Sequence, residues 1–329
     1  MLWISEPEVS ELIDLEDAIA AEEKMLALEA KGEATSLPKA LGQWERRSMH
    51  ALGSFAPSAG RAGFKTWLHT PNGAGTIFSL FNTETGVVEA VIESAVMSQL
   101  RTAAISGVAT KWLAPAIADE MALIGTGKQA MLQVAAVAAV RPIRRLRVFS
   151  RTEENRRAFV ERAASLFTFD VEEARSIEAA TDGAQIVTIV TRAKEPFFPA
   201  SALSTGVHVN AVGAILRGFA EFHQDLFDRA GLVVVDNIAN AQSISTEFIE
   251  RFGPGPDGWD EVRSLSDIVA AGRPRPADLD VSLFKSLGMG VADLALASLI
   301  FERAVARGVG REIERMGRST ARWRSARRH

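Results

Sequence analysis

Apolar and polar positions along this chain follow two rhythms in succession. Leu12 to Ala30 repeats apolar residues at helical spacing, with Ile13, Ala20, Met25 and Leu28 available for burial among acidic neighbours. From there to about Ser94 the spacing shortens to alternation. Ser48 to Phe55, Phe64 to Leu68, Thr76 to Phe81 and Val87 to Ile92 read as strands, separated by turn signals at Pro71-Asn72-Gly73 and Thr85-Gly86. Met97 to Leu113 returns to a helical pattern that Pro115 stops.

Beyond Glu120, short apolar runs alternate with helical segments. Met121 to Ile124 predicts a strand and Gln129 to Val140 an alanine-rich helix. Leu146 to Phe149 predicts a strand, Glu153 to Leu166 a helix, and Gln185 to Val190, Val207 to Val212 and Leu232 to Val235 further strands. Ser282 to Ala306 reads as one mainly apolar closing helix. Strands alternating with helices predict an α/β fold with a Rossmann-type doubly wound parallel sheet.

Composition narrows the function classes. The 329 residues are 47% hydrophobic and 24% charged, enough for two domains with real cores. A net charge of −4 gives no general attraction to nucleic acid or an anionic membrane, so a small-molecule partner is the expectation. The absence of cysteine and tyrosine excludes thiolate nucleophiles, disulfides and a phenolic acid, and no metal site is expected. The acidic stretch Met1 to Asp17 lacks the order of a signal peptide, and no apolar run is long enough to cross a bilayer, which predicts a cytoplasmic protein. Arg311 to His329 holds seven arginines; in an acidic chain it reads as a solvated terminus rather than a nucleic-acid tail.

The turn Gly125-Thr126-Gly127-Lys128-Gln129-Ala130 lies between an apolar strand and an alanine-rich helix. In that setting Gly125 permits the tight turn, Gly127 lets backbone approach a pyrophosphate, and Ala130 allows close helix packing. The helix start offers free N–H groups to the phosphates. The next strand ends in Ser150-Arg151-Thr152 rather than Asp or Glu. That set suits a 2′-phosphate, so NADP is expected, with NAD open because Glu153 and Glu154 follow.

Arg101-Thr102-Ala103-Ala104, the glycine turn, Val209-Asn210-Ala211-Val212-Gly213-Ala214 and Phe284-Lys285-Ser286-Leu287-Gly288-Met289 together resemble the ornithine cyclodeaminase and mu-crystallin family. The resemblance implies a homodimer with a mixed α/β substrate-binding and dimerisation domain (1–112 with 303–329) and a dinucleotide-binding domain (113–302). It implies that Lys65 and Arg101 are catalytic and bind substrate, Arg101 through its carboxylate. Thr102, Gly125 to Gln129, Ser150 to Thr152, Asn155, Thr191, Asn210, Val212, Gly213 and Ser286 fall where the family meets the dinucleotide. The segment Ser150 to Asn155 is closest to the NADPH-binding mu-crystallin branch.

Two departures refine the expected chemistry. Where cyclodeaminases carry an acid/base aspartate and then a lysine, this chain has Ile215 and Phe219. Isoleucine moves no proton, which weakens a deaminating lyase and favours reduction of an imine. No Asp or Glu lies between Glu45 and Glu84, around Lys65, whereas Arg46, Arg47, His50, Arg61 and His69 do. With Lys39, nearest match to a family Pro-x-Arg, and Arg217, these cations point to an imine of a 2-oxo acid, including a dicarboxylic one such as iminosuccinate. A cyclodeaminase and a non-catalytic NADPH-dependent binding protein are the alternatives.

Overall fold

The computed structural model describes every residue except 274, 315, 316, 318 and 322–329. The chain opens with β1 (Leu2–Ile4), α1 (Glu6–Leu12) and α2 (Leu15–Ala30). It continues through β2 (Thr35–Ser36), β3 (Ala40–Trp44), β4 (Arg47–Ala56), β5 (Arg61–Thr70), β6 (Gly73–Asn82) and β7 (Val88–Glu93), and α3 (Ala95–Leu113) leads out of this unit. The second unit holds β8 (Glu120–Ile124), α4 (Ala130–Ala138), β9 (Arg145–Phe149), α5 (Glu153–Leu166), β10 (Asp170–Glu173), α6 (Ile177–Thr181), β11 (Ile186–Ile189) and β12 (Val207–Ala211). It ends with α7 (Asp225–Arg229), β13 (Ala230–Val235), α8 (Ile238–Ile244), α9 (Thr246–Phe252), β14 (Val262–Ser264), α10 (Leu265–Ala271) and β15 (Val281–Lys285). Helix α11 (Gly290–Arg307) then returns to the first unit, and β16 (Arg311–Glu312) pairs with β1.

The second unit is an eight-stranded parallel sheet in the order β10-β9-β8-β11-β12-β15-β13-β14. Its central strands β11, β12 and β15 are buried at every position, as expected of a sheet covered on both faces. The direction of strand order reverses between β8 and β11, which opens a crevice beyond their carboxyl ends.

The first unit's sheet runs β16-β1-β7-β6-β5-β4-β2, with β3 on β4. Its hairpins β4-β5-β6 alternate sharply. Leu52, Lys65 and Phe78 are register partners on the inner face, against which α11 packs. The outer face exposes Met49, Phe55, Phe64, Leu68 and Ile77, with Leu41 and Trp44 from β3 also exposed. Such an unpartnered apolar face is unusual for a monomer.

The structure corrects three sequence expectations. Leu12 to Ala30 is not one helix: Asp14 Oδ1 accepts from Asp17 N at 2.9 Å and Asp14 N donates to Asp17 Oδ2 at 3.2 Å, a capping box that starts α2 afresh. Ser282 to Ala306 is a strand followed by a helix, because Val281–Lys285 fills the slot between β12 and β13, and a short apolar run does not reveal its period. The expected boundary at 302/303 falls inside α11, whose apolar residues from Val291 to Ala304 share one core with Ile4, Ile19, Phe78 and Ile92. Of the arginine-rich tail, Arg311 lies in β16, while Arg315, Arg318, Arg322, Arg324, Arg327 and Arg328 lie outside the described residues. No described helix is long and apolar enough to cross a membrane.

Candidate functional site

Lys65 stands on the inner face of β5, where α11 closes over the sheet. Its Nζ donates to Asp293 Oδ1 at 2.6 Å, and both groups are buried. Arg101, one α3 turn beyond Met97, brings its Nε to 3.2 Å from the same oxygen. Arg101's terminal guanidinium nitrogens bond no described residue, which leaves a fork free for a carboxylate. Gly288, at φ +92°, makes room for that fork: a Cβ there would lie 3.2 Å from Arg101 Nη1.

Trp67, two residues along β5, gathers the neighbouring groups on the same face. His50 stacks on it with ring centroids 4.6 Å apart, Lys65 Nζ lies 5.1 Å from its centroid and Lys39 Nζ 5.5 Å. His50 Nε2 meets Ser48 Oγ at 2.9 Å, and burial beside Lys39 lowers the imidazole to about 4, keeping it neutral. Burial, reinforced by Arg101 and opposed by Asp293, brings Lys65 down to about 8. Burial and Arg101 also lower Lys39, which has no salt-bridge partner among the described residues. Three cations therefore converge on one region and only Asp293 touches two of them.

Two more carboxyls lie close to Arg101. Asp236, at the end of β13, accepts from Ser286 Oγ at 3.0 Å, Leu287 N at 2.8 Å and Gly288 N at 2.7 Å, and so fixes the loop that abuts Arg101. Glu22 of α2 is wholly buried, and neither of its oxygens has a partner among the described residues. A carboxylate without donors is costly in an interior, and burial pushes Glu22 well above the usual carboxylate range, with Arg101 opposing it.

The glycine turn sits at the sheet's crevice. Gly125 has φ +110°, and a Cβ there would stand 2.7 Å from Val190 O; Gly127 has open space around it. The N–H groups of Thr126, Gly127 and Lys128 have no backbone partner among the described residues, ahead of the start of α4. Thr126 Oγ1 donates to Ser150 Oγ at 3.2 Å, and Ser150 Oγ to Thr152 O at 3.2 Å. Buried Arg156 braces this corner from Ser150 O at 2.7 Å, leaving Arg151, Thr152 and Asn155 exposed beyond β9. A cradle closed to any side chain on one side and open on the other, with free donors, fits a dinucleotide's pyrophosphate.

The other expected site residues fall into different settings. Thr191 and Gly213 follow β11 and β12 at the same crevice, where Val212 is buried, and Gln129 caps α4. Thr102 spends its hydroxyl on Ser98 O at 2.8 Å, and Ser286 its hydroxyl on Asp236. Asn210 does not face a ligand with its side chain, a correction to its expected role: Nδ2 donates to Thr110 Oγ1 at 2.9 Å and Oδ1 meets His208 Nε2 at 3.0 Å, all buried. Arg217 is also corrected as a member of the pocket, because it is exposed and donates to Ser243 O at 3.0 Å. His69 is exposed, edge-on to His50 at 6.1 Å.

Sequence reasoning missed Asp293, Glu22, Asp236 and Trp67. The carboxylate absent around Lys65 in the sequence comes from α11, 228 residues away. A findable signal existed for Glu22, which occupies the stripe of Ala18, Ile19, Met25 and Leu26 where an apolar residue belongs.

The ornithine cyclodeaminase/mu-crystallin family model matches residues 3–308. A Δ1-pyrroline-2-carboxylate reductase of Bacillus cereus is 35% identical over 242 residues, 72% of this chain and 74% of that protein. The structure of the Thermococcus litoralis Δ1-pyrroline-2-carboxylate reductase with NADH and L-proline superposes with a TM-score of 0.87 at 25% identity, covering 95% of this chain and 100% of that one. The Paracoccus denitrificans iminosuccinate reductase with NAD+ gives 0.88 at 27% identity, covering 95% and 99%.

Proposed function

The chain belongs to the ornithine cyclodeaminase/mu-crystallin family, and from that premise we propose that it reduces imines of 2-oxo acids to amino acids. It is an NAD(P)-dependent oxidoreductase acting on carbon–nitrogen bonds. The observation that carries the finer reading is the shared carboxylate: Asp293 holds Lys65 Nζ at 2.6 Å beside the free fork of Arg101.

When bound, the nicotinamide supplies the hydride. Arg101 holds the substrate carboxylate by two parallel bonds, which fixes the adjacent C2 in one orientation. Lys65 Nζ keeps a proton at the imine nitrogen, so the electron pair released from the C=N bond meets a positive charge and the product leaves as an amine. Trp67 covers one side of Lys65 and excludes water there. The cradle from Gly125 to Gln129 would hold the pyrophosphate, and Thr102, Thr191, Val212, Gly213 and Ser286 border the same crevice. Exposed Arg151, with Ser150, Thr152 and Asn155, supports NADPH over NADH.

Lys39 favours a dicarboxylic substrate such as iminosuccinate over a monocarboxylic one, because a cation without a salt-bridge partner beside Trp67 gives a second anion a place to bind. Ile215 speaks against a deaminating lyase. The exposed face of Met49, Phe55, Phe64, Leu68 and Ile77 supports a homodimer, since a second copy would cover it.

The test is NADPH and NADH oxidation with glyoxylate, pyruvate or oxaloacetate plus ammonia or methylamine, and with cyclic ketimines. Turnover, fastest with oxaloacetate, is expected. Cofactor binding without turnover on any of these would instead support a binding protein, and ammonia release from ornithine without net NADH formation a lyase.

A further inference from the structure

Three strand ends meet at the crevice beside the glycine turn, and one carboxylate ties two of them together. Glu221 is fully buried on the segment after β12. Its Oε1 accepts from Thr191 N at 2.6 Å and Thr191 Oγ1 at 2.8 Å, and its Oε2 accepts from Gly213 N at 2.8 Å and Ala214 N at 3.0 Å. Burial raises Glu221, while Lys285 and these donors pull it back. All four donors suit an acceptor-only carboxylate.

The main chain of Glu221 is held from behind. Glu221 N donates to Glu247 Oε1 at 3.0 Å, and Lys285 Nζ, at the end of β15, donates to the same oxygen at 3.1 Å. The two loops have closed on this staple. A Cβ on Gly213 would lie 1.9 Å from Thr191 O and 2.5 Å from Glu221 Oε1, and Gly125 abuts Val190 on the other side. The contacts therefore run without a gap from the glycine turn through Val190 and Thr191 to Gly213.

The position in the sheet says which half of the cofactor this serves. In a doubly wound sheet the pyrophosphate lies on the first glycine turn, and the adenosine ribose reaches the end of the next strand, here β9. The other half of the dinucleotide must extend across the switch point over β11 and β12, whose ends Glu221 joins. We propose that Glu221, backed by Glu247 and Lys285, is a positioning residue that sets the width of the nicotinamide side of the crevice. This rests on the NAD(P)-binding reading above.

The test compares two ligands on Glu221→Gln by titration: NAD(P)H, and ADP-ribose, which lacks the nicotinamide. Glutamine presents an amide N–H₂ to one pair of donors, so one loop is released. Dissociation of NAD(P)H should rise about tenfold while that of ADP-ribose stays within about twofold. A merely structural defect would weaken both alike, and that result, or no change in either, overturns the proposal. If Glu221→Gln does not give a cooperative unfolding transition, Glu247→Gln is read the same way, with about a threefold selective loss expected and equal or absent losses overturning it. Wild-type protein that binds neither NADH nor NADPH would overturn the cofactor reading itself.

Discussion

The molecule buries two clusters of opposite charges, and they are finished to different degrees. Around Lys285 every charged oxygen and nitrogen faces a partner: Glu221 takes four donors, and Glu247 takes Lys285, Glu221 N and Ser245 Oγ. Around Lys65 partners are missing. Asp293 Oδ2, Asp236 Oδ1 and both oxygens of Glu22 have none among the described residues, and Arg101's fork is open. Satisfied buried charges make a scaffold, whereas unsatisfied ones beside a pocket mark where another molecule completes the bonding.

Substitutions in each cluster should separate the two. Lys65→Ala should lower kcat/KM for imine reduction by about a thousandfold while changing the NAD(P)H dissociation constant by less than about threefold; a parallel loss of cofactor affinity would place Lys65 in the scaffold instead. Lys285→Met should cost about 3–5 kcal/mol of stability in denaturant unfolding, because it strands Glu247; full stability would show that the second cluster is not held by its charges. Arg101→Lys should raise KM for the oxo acid about thirtyfold, since an ammonium cannot fork a carboxylate.

The pH profile tests the same assignment. Lys65 lies below its ordinary value, at about 8, so the proton it holds is lost as pH rises through that point. Reductive kcat/KM should fall about tenfold per pH unit above 8 and the amino-acid-oxidising direction should gain, a limb that Lys65→Arg should move to higher pH. The smallest effect belongs to Glu22→Gln. Burial favours the uncharged form of Glu22, so turnover should stay within about twofold; a large rise in KM would mean that its charge is used.

Much of this was legible from spacing. Period-two alternation located β4 to β7, and the strand-glycine-helix order located the crevice, because local patterns record which face of an element is covered. Lys65 and Arg101 became visible only through family resemblance, since an isolated cation has no local signature. Asp293 was hidden for the opposite reason: in Gly290-Val291-Ala292-Asp293 it reads as an acid in the first turn of a helix, a favourable place on its own account. The link from Asp293 to Lys65 is a tertiary fact with no trace in either segment. The Asn210 side chain bonds inward because a polar residue in a buried strand can find partners there as readily as outward.

Strand β5 places Lys65 and Trp67 on one face and Phe64 and Leu68 on the other. A slip of one residue against β4 would turn the apolar pair into the pocket and the ammonium out to the opposite surface. The fixed pairing of β4 with β5 therefore decides which of the two groups meets α11 and which is left facing outward.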